Sequence, residues 1–115
     1  MTVTIWHNPK CATSRKVLDM IRARGIEPNI VRYLDTPPSR SQIKAVLKEA
    51  GLTPRDLLRR KGTPYDELGL DDPNLSDAAL IAAMHKHPNL IDRPVVRAPK
   101  GTRLCRPPER VAEIL

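Results

Sequence analysis

Hydrophobic periodicity changes twice in the first third of the chain. Apolar and other side chains alternate over residues 2–7, which predicts a strand. Apolar residues then follow helical spacing and predict a helix over residues 12–24, with Gly25 as its C-terminal stop. Residues 29–34 predict a second strand. The order strand, helix, strand indicates a β-α-β unit with parallel strands and a right-handed crossover.

The middle of the chain has a helical pattern interrupted by loops. Ser39 and Gln42 occupy capping-box positions and predict the start of a helix that ends at Gly51. Residues 54–60 predict a short helical piece, and Ser76 predicts the cap of a further helix. We interpret this region as a helical insertion.

The end of the chain predicts a hairpin followed by a helix. Residues 94–98 and 102–105 form two apolar runs, and residues 99–101 have the composition of a hairpin loop. A helix is predicted from Pro107 to Leu115, since proline is tolerated in a first turn. The whole order is β-α-β, helical insertion, β-β-α. It predicts an α/β fold with a four-stranded mixed sheet in one domain over residues 1–115.

The amino-acid composition of the chain restricts the classes of function that it can have. The net charge of +7 permits binding of nucleic acids or of small oxyanions, but the basic residues are scattered and often lie beside acids. We therefore expect no nucleic acid partner. No apolar run approaches the ~18 residues of a membrane span, and no signal peptide is visible. Two cysteines suggest reduced thiols rather than disulfides, so we expect a cytoplasmic protein without membrane attachment.

Cys11 is the strongest candidate for chemistry because it lies where the first strand ends and the first helix begins. Unpaired N–H groups and the helix dipole at such a position stabilise a thiolate and lower its pKa. His7, Lys10 and Arg15 are close in sequence and could add to this effect. The alternative is a buried structural cysteine.

The spacing around Cys11 places Ser14 where a redox helix carries its second thiol. A hydroxyl cannot resolve a mixed disulfide, so the resolving thiol must come from outside or from Cys105. Ser14 could instead donate a hydrogen bond to the thiolate or its substrate, or cap the helix. The C-x5-R motif of low-molecular-weight phosphatases is excluded, because Val17 and Val111 lie six residues after the two cysteines.

A longer pattern resembles the glutaredoxin-coupled arsenate reductases of the ArsC/Spx superfamily. Residues 7–15 match their H-N-P-x-C-x-x-S-R signature. Further matches run in family order over nearly the whole chain: YLDTPP at 33–38, LLR at 57–59, NLIDRP at 89–94 and GTRLCRP at 101–107. The family has a thioredoxin-like fold with a helical insertion, which agrees with the predicted order of elements.

The resemblance implies an anion site for arsenate. In the family, three arginines help the nucleophilic cysteine, and they match Arg59, Arg93 and Arg106 here. Arginine offers a planar, permanently charged fork that binds oxyanions bidentately. Arg60 lies beside Arg59, and the family match favours Arg59.

Other residues of the motifs are expected to support this site. The resemblance implies that Pro94 is the cis-proline that thioredoxin-like folds place beside the active cysteine. We count Ser14 with the substrate-binding residues, and His7 and Arg15 as supporting residues. Cys105 is expected to be a small buried hydrophobe, although a relay through it stays open.

The resemblance also implies a reaction and its partners. Cys11 would attack arsenate, glutathione would act as co-substrate, and glutaredoxin would regenerate the thiol. No bound organic cofactor is expected in a protein we expect to be a monomer. No metal is expected either, because His85 and His87 are two residues apart on a helix and face different ways.

A second hypothesis is a non-catalytic relative that binds a protein partner. Spx-like regulators of the same superfamily bind RNA polymerase and carry a C-x-x-C switch, which Ser14 does not complete. The chain ends at Leu115 whereas longer reductases continue, which resembles short relatives of uncertain activity. The complete arginine set favours the reductase. The physiological substrate stays open at this point.

Overall fold

The computed structural model describes residues 2–115 and contains two compact units. The first comprises the chain up to Thr36 together with Arg93–Leu115, and the second comprises Pro37–Asp92. The expectation of a single domain over residues 1–115 stays a prediction. No helix within residues 2–115 is long and apolar enough to cross a membrane.

The first unit is built on a four-stranded mixed sheet in the order β2-β1-β3-β4. Strand β1 pairs in parallel with β2, and β3 pairs antiparallel with both β1 and β4. Ile5 of β1 therefore lies between Ile30 of β2 and Val96 of β3. The four strands are β1 Thr4–Trp6, β2 Asn29–Val31, β3 Val95–Ala98 and β4 Gly101–Leu104. This arrangement confirms the predicted α/β fold with its mixed sheet.

Helix α1, Ala12–Ala23, is the crossover between β1 and β2. Its buried apolar face joins the core of the sheet, because the side chains that share its helical spacing point to one side. That core consists of buried residues from α1, the strands and the C-terminal segment: Val3, Ile5, Val17, Leu18, Ile21, Val96, Cys105, Val111 and Ile114. Gly25 follows the helix with φ of 76°, which permits the predicted stop.

Several predicted boundaries in this unit are wrong. Strand β2 ends at Val31 rather than at residue 34, because the carbonyl of Arg32 accepts hydrogen bonds from Asp35 and Thr36 in a turn. The hairpin loop is one residue shorter than predicted, since Gly101 already pairs with Ala98. The C-terminal helix is a 3₁₀ helix, Pro108–Ile114, rather than an α-helix from Pro107 to Leu115.

The second unit contains α2 Arg40–Ala50, α3 Pro54–Leu57, α4 Asp77–Lys86 and the 3₁₀ helix Pro88–Leu90. The predicted capping box of Ser39 and Gln42 is present, and Gly51 ends α2 in the left-handed conformation. Helix α3 is shorter than the predicted 54–60 because Leu58 leaves it to form an antiparallel bridge with Ile91.

Candidate active site

The loop between β1 and α1 is held by its own polar groups. Asn8 accepts two backbone hydrogen bonds, one at Oδ1 from Lys10 (3.0 Å) and one at its carbonyl from Cys11 (3.0 Å). The guanidinium of Arg15 donates to the carbonyl of Pro9 at 2.8 Å. The loop therefore presents Cys11 at a fixed place, the N-cap of α1. Sequence reasoning overlooked Asn8, although an Asn-Pro pair is a signal for such a side-chain turn.

A buried polar cluster lies behind this loop. The side chains of His7, Asn8 and Ser14 are 6%, 7% and 0% exposed. Ser14 Oγ lies 2.6 Å from His7 Nδ1 and accepts a hydrogen bond from the backbone N–H of Asn8 at 3.1 Å. The sequence predicted that the Ser14 hydroxyl donates to the thiolate or its substrate, or caps the helix. In the structure it bonds to His7 and to the backbone of Asn8, and its role in substrate binding stays a prediction.

The imidazole of His7 favours its neutral form. Burial lowers its pKa, and the charges of three arginines lower it further: Arg22, Arg32 and Arg15. A neutral imidazole carries a proton on only one of its two ring nitrogens, so it can form the hydrogen bond between Nδ1 and the Ser14 hydroxyl without a positive charge. His7 thus supports the loop through its hydrogen bond with Ser14 rather than as a cation beside the thiol.

Cys11 is half-buried, and its pKa is lowered. Burial by itself raises the pKa of this thiol, but several donors to the sulfur outweigh it. They are the backbone N–H of Ser14, the guanidinium of Arg93 through a hydrogen bond and its charge, and the backbone N–H of Thr13. No acidic residue lies in the first turn of α1 to oppose them. The geometry therefore favours a thiolate.

Two arginines of the predicted site lie beside Cys11 in the first unit. Arg106 Nη1 is 4.0 Å from Cys11 Sγ, the limit of an N–H···S contact, and donates a shorter bond of 3.0 Å to the carbonyl of Arg93. Arg93 is the guanidinium that lowers the pKa of the thiol. The Arg93–Pro94 peptide bond is cis, as predicted, and so is the bond that precedes Pro107.

Arg59 belongs to the second unit. Its Nη1 lies 3.3 Å from Asp92 Oδ1 and its Nε donates to the carbonyl of Lys61 at 3.2 Å. The side chain is 22% exposed, whereas Arg60 is 61% exposed and pairs with Asp66. The two neighbours therefore differ in environment. The assignment of Arg59 to the anion site stays a prediction.

Cys105 is fully buried in the core of the first unit. Burial raises the pKa of its thiol to about 12, although the charge of Arg110 opposes the effect. Its Sγ donates a weak hydrogen bond to the carbonyl of Arg103 at 3.7 Å. Because a thiol with this pKa is protonated at neutral pH, Cys105 is a poor resolving nucleophile.

His85, near the end of α4, has a backbone partner in the second unit. His85 Nδ1 forms a hydrogen bond of 2.9 Å with the carbonyl of Pro38. Within residues 2–115, no group of three His, Cys, Asp or Glu side chains is arranged to hold a metal ion.

Comparison with known proteins decides the family. A profile of the ArsC family matches residues 6–114. The chain belongs to the ArsC family. This assignment confirms the resemblance inferred from the Cys11 motif and its companion segments.

Relatives of this ArsC chain are similar over nearly its full length. An arsenate reductase of Rhizobium meliloti is 60% identical over 115 residues, which are 100% of this chain and 82% of the relative. An arsenate reductase of Escherichia coli (strain K12) is 51% identical over 113 residues, 98% of this chain and 80% of the relative. The solved structure of an arsenate reductase from Vibrio cholerae is 46% identical, covers 100% of this chain and 98% of its own, and superposes with a TM-score of 0.96.

Proposed function

We propose that this ArsC protein reduces arsenate to arsenite with Cys11 as the nucleophile. One observation carries the proposal: a half-buried thiol with a lowered pKa lies at the N-terminus of α1, with Arg93 and Arg106 beside it. The same place combines a nucleophile with donors for an oxyanion. That combination is what the reduction of arsenate by a thiol requires.

The arginines offset the electrostatic repulsion between arsenate and the thiolate. Arsenate is an anion, and its approach to a thiolate brings two negative charges together. Arginine keeps its charge at every physiological pH and can bind two oxygens of one anion with its planar fork. We propose that Arg93 and Arg106 bind arsenate, and that Arg59 contributes as the family resemblance implies. Ser14 supports the site through its backbone N–H.

The proposed reaction has three steps. The Cys11 thiolate attacks the arsenic of a protonated arsenate. One arsenate hydroxyl takes a proton from solvent and leaves as water, which gives a thiol–arsenate ester that still contains As(V). The thiolate of glutathione then attacks Cys11 Sγ, so an S–S bond forms, the S–As bond breaks and its electron pair stays on arsenic as As(III). Arsenite leaves. A thiolate of glutaredoxin then attacks the glutathione sulfur of the mixed disulfide, which forms a glutaredoxin–glutathione disulfide and releases the Cys11 thiolate.

The thiols of this chain favour an external reductant. Ser14 occupies the position of a resolving cysteine and has no thiol. Cys105 is buried with a raised pKa, so we propose that glutathione and glutaredoxin supply the electrons. We further propose that the protein acts as a monomeric single domain in the cytoplasm, where reduced glutathione is available, and that it binds no organic cofactor.

An arsenite-production assay tests this proposal. The purified protein is incubated with arsenate, glutathione, glutaredoxin and a system that recycles oxidised glutathione. We expect arsenite beyond one equivalent of the protein only when all components are present, and none with Cys11→Ser. Cys105→Ser is the matched thiol control and should keep most of the activity. A folded, reduced wild-type protein that forms no arsenite would contradict the proposal and favour a relative that binds a protein partner.

A further inference from the structure

A groove of about 210 Å³ lies beside the loop that carries Cys11. One wall is the loop itself, from His7 to Lys10, and the other wall contains Arg32, Leu34 and Asp35 after strand β2. The whole groove lies within the first unit. Its loop wall ends at Lys10, the residue that precedes the nucleophile Cys11 in the chain.

The charged side chains that line the groove do not balance, because the cations outnumber the carboxylates by one. Arg32 Nε pairs with Asp35 Oδ2 at 3.2 Å, which uses the carboxylate of the far wall. Lys10 has no such partner: within residues 2–115, no carboxylate lies within ion-pair distance of its ammonium. Two cations and one carboxylate therefore give the groove a net charge of about +1 at neutral pH.

The wall that carries Lys10 is held in place before any ligand binds. The backbone N–H of Lys10 donates to Asn8 Oδ1, and the guanidinium of Arg15 holds the carbonyl of Pro9. A cation on a fixed backbone loses less entropy when it binds an anion than one on a flexible loop. The groove is thus a prepared site for one negatively charged group, on the loop that also carries Cys11.

We propose that this groove binds the glycyl carboxylate of glutathione as its sulfur attacks Cys11, an inference that rests on the proposed function. The two ends of this tripeptide differ in charge. The glycyl end carries one carboxylate and a charge of −1, which complements the groove. The γ-glutamyl end carries both a carboxylate and an ammonium and is neutral overall.

The volume of the groove and the length of the glycyl arm of glutathione are compatible with this proposal. A volume of about 210 Å³ is below the ~300 Å³ at which pockets begin to enclose drug-sized ligands, so the groove suits one arm of the tripeptide. Two extended residues span about 7 Å, so the carboxylate must lie close to the attacked sulfur. Lys10 is the direct neighbour of Cys11 and meets this condition.

The test compares glutathione with its glycine ethyl ester, which keeps the thiol and the γ-glutamyl end but has no glycyl carboxylate. Single-turnover formation of the Cys11 mixed disulfide is measured with arsenate in excess and without glutaredoxin. For the wild type we expect the second-order rate constant to be about threefold to fivefold lower with the ester, the range of a partly exposed ion pair. In Lys10→Ala, glutathione should react as slowly as the ester, and the ratio of the two should approach one.

Two further variants serve as controls. Lys10→Arg keeps the charge and should keep the preference for glutathione. Lys16→Ala removes a cation from the exposed side of α1, where it pairs with Glu109 at 3.7 Å, and should leave the preference unchanged. Because the ratio between two thiols is measured within each variant, a general loss of activity does not affect it.

The outcomes separate this inference from the function on which it rests. Wild-type protein that forms no mixed disulfide with either thiol would contradict the proposed function itself. Wild-type protein that reacts equally fast with glutathione and its ester would overturn only the carboxylate site. The same holds if Lys10→Ala keeps the full preference for glutathione.

Discussion

Replacing Ser14 with alanine tests whether the buried cluster behind Cys11 holds the site together. The Ser14 hydroxyl is fully buried and bonds to both His7 Nδ1 and the backbone N–H of Asn8. Its removal leaves these two buried polar groups without that partner. Each such group costs about 1–3 kcal/mol, so we expect the free energy of unfolding to fall by about 2–6 kcal/mol.

The same substitution should change the reactivity of the nucleophile. The backbone N–H groups of Thr13 and Ser14 lower the pKa of Cys11, and they keep their direction only while the loop and the first turn of α1 stay in register. We therefore expect Ser14→Ala to raise the pKa of Cys11. Iodoacetamide labelling across a pH series reports this change directly.

Urea denaturation followed by circular dichroism measures the stability. Ser41→Ala is the matched control, because Ser41 lies exposed on α2, and we expect a change within about 0.5 kcal/mol. The reasoning is refuted if Ser14→Ala is as stable as the control and its Cys11 labels with the wild-type midpoint. Such a result would mean that the cluster does not position the thiol.

Two other predictions concern charge. Because the folded-state pKa of His7 is lowered, unfolded chains bind more protons than folded ones once the pH drops below about 6.5, and stability should fall as the pH is lowered further. His7→Gln should flatten this dependence in urea titrations, and an unchanged slope would show that His7 is not responsible. Arg93→Ala should raise the labelling midpoint of Cys11 and lower kcat/KM for arsenate by roughly 10²–10³-fold. Arg93→Lys should rescue it partly and Arg60→Ala should be nearly silent; wild-type kinetics in a folded Arg93→Ala protein would remove it from the anion site.

Local signals in the sequence were sufficient to predict most of the fold. The Ser39 capping box and Gly51 define α2 because both act through bonds or dihedral angles within a few residues. The position of Cys11 at the start of α1 follows from the same kind of local pattern. Element ends were less predictable where distant segments compete. Helix α3 stops at Leu57 because Leu58 pairs with Ile91, a contact that periodicity does not contain.

In the candidate site, too, features set by local sequence were predicted and features set by distant contacts were not. Its charged residues were identified from motifs, and Arg93 and Arg106 do lie beside Cys11. The role of Ser14 was not foreseen, because its hydroxyl partners depend on how the loop folds back over the helix. The groove beside Lys10 was not foreseen either, since its second wall comes from the turn after β2.

The most direct test of the proposed chemistry is the mass of the protein after a single turnover. Wild-type protein is mixed with arsenate and glutathione without glutaredoxin, quenched in acid and digested. We predict that the peptide containing Cys11 carries one glutathione, that this depends on arsenate, and that arsenite is formed in equal amount. An unmodified Cys11 peptide, or a disulfide between Cys11 and Cys105, would contradict the account.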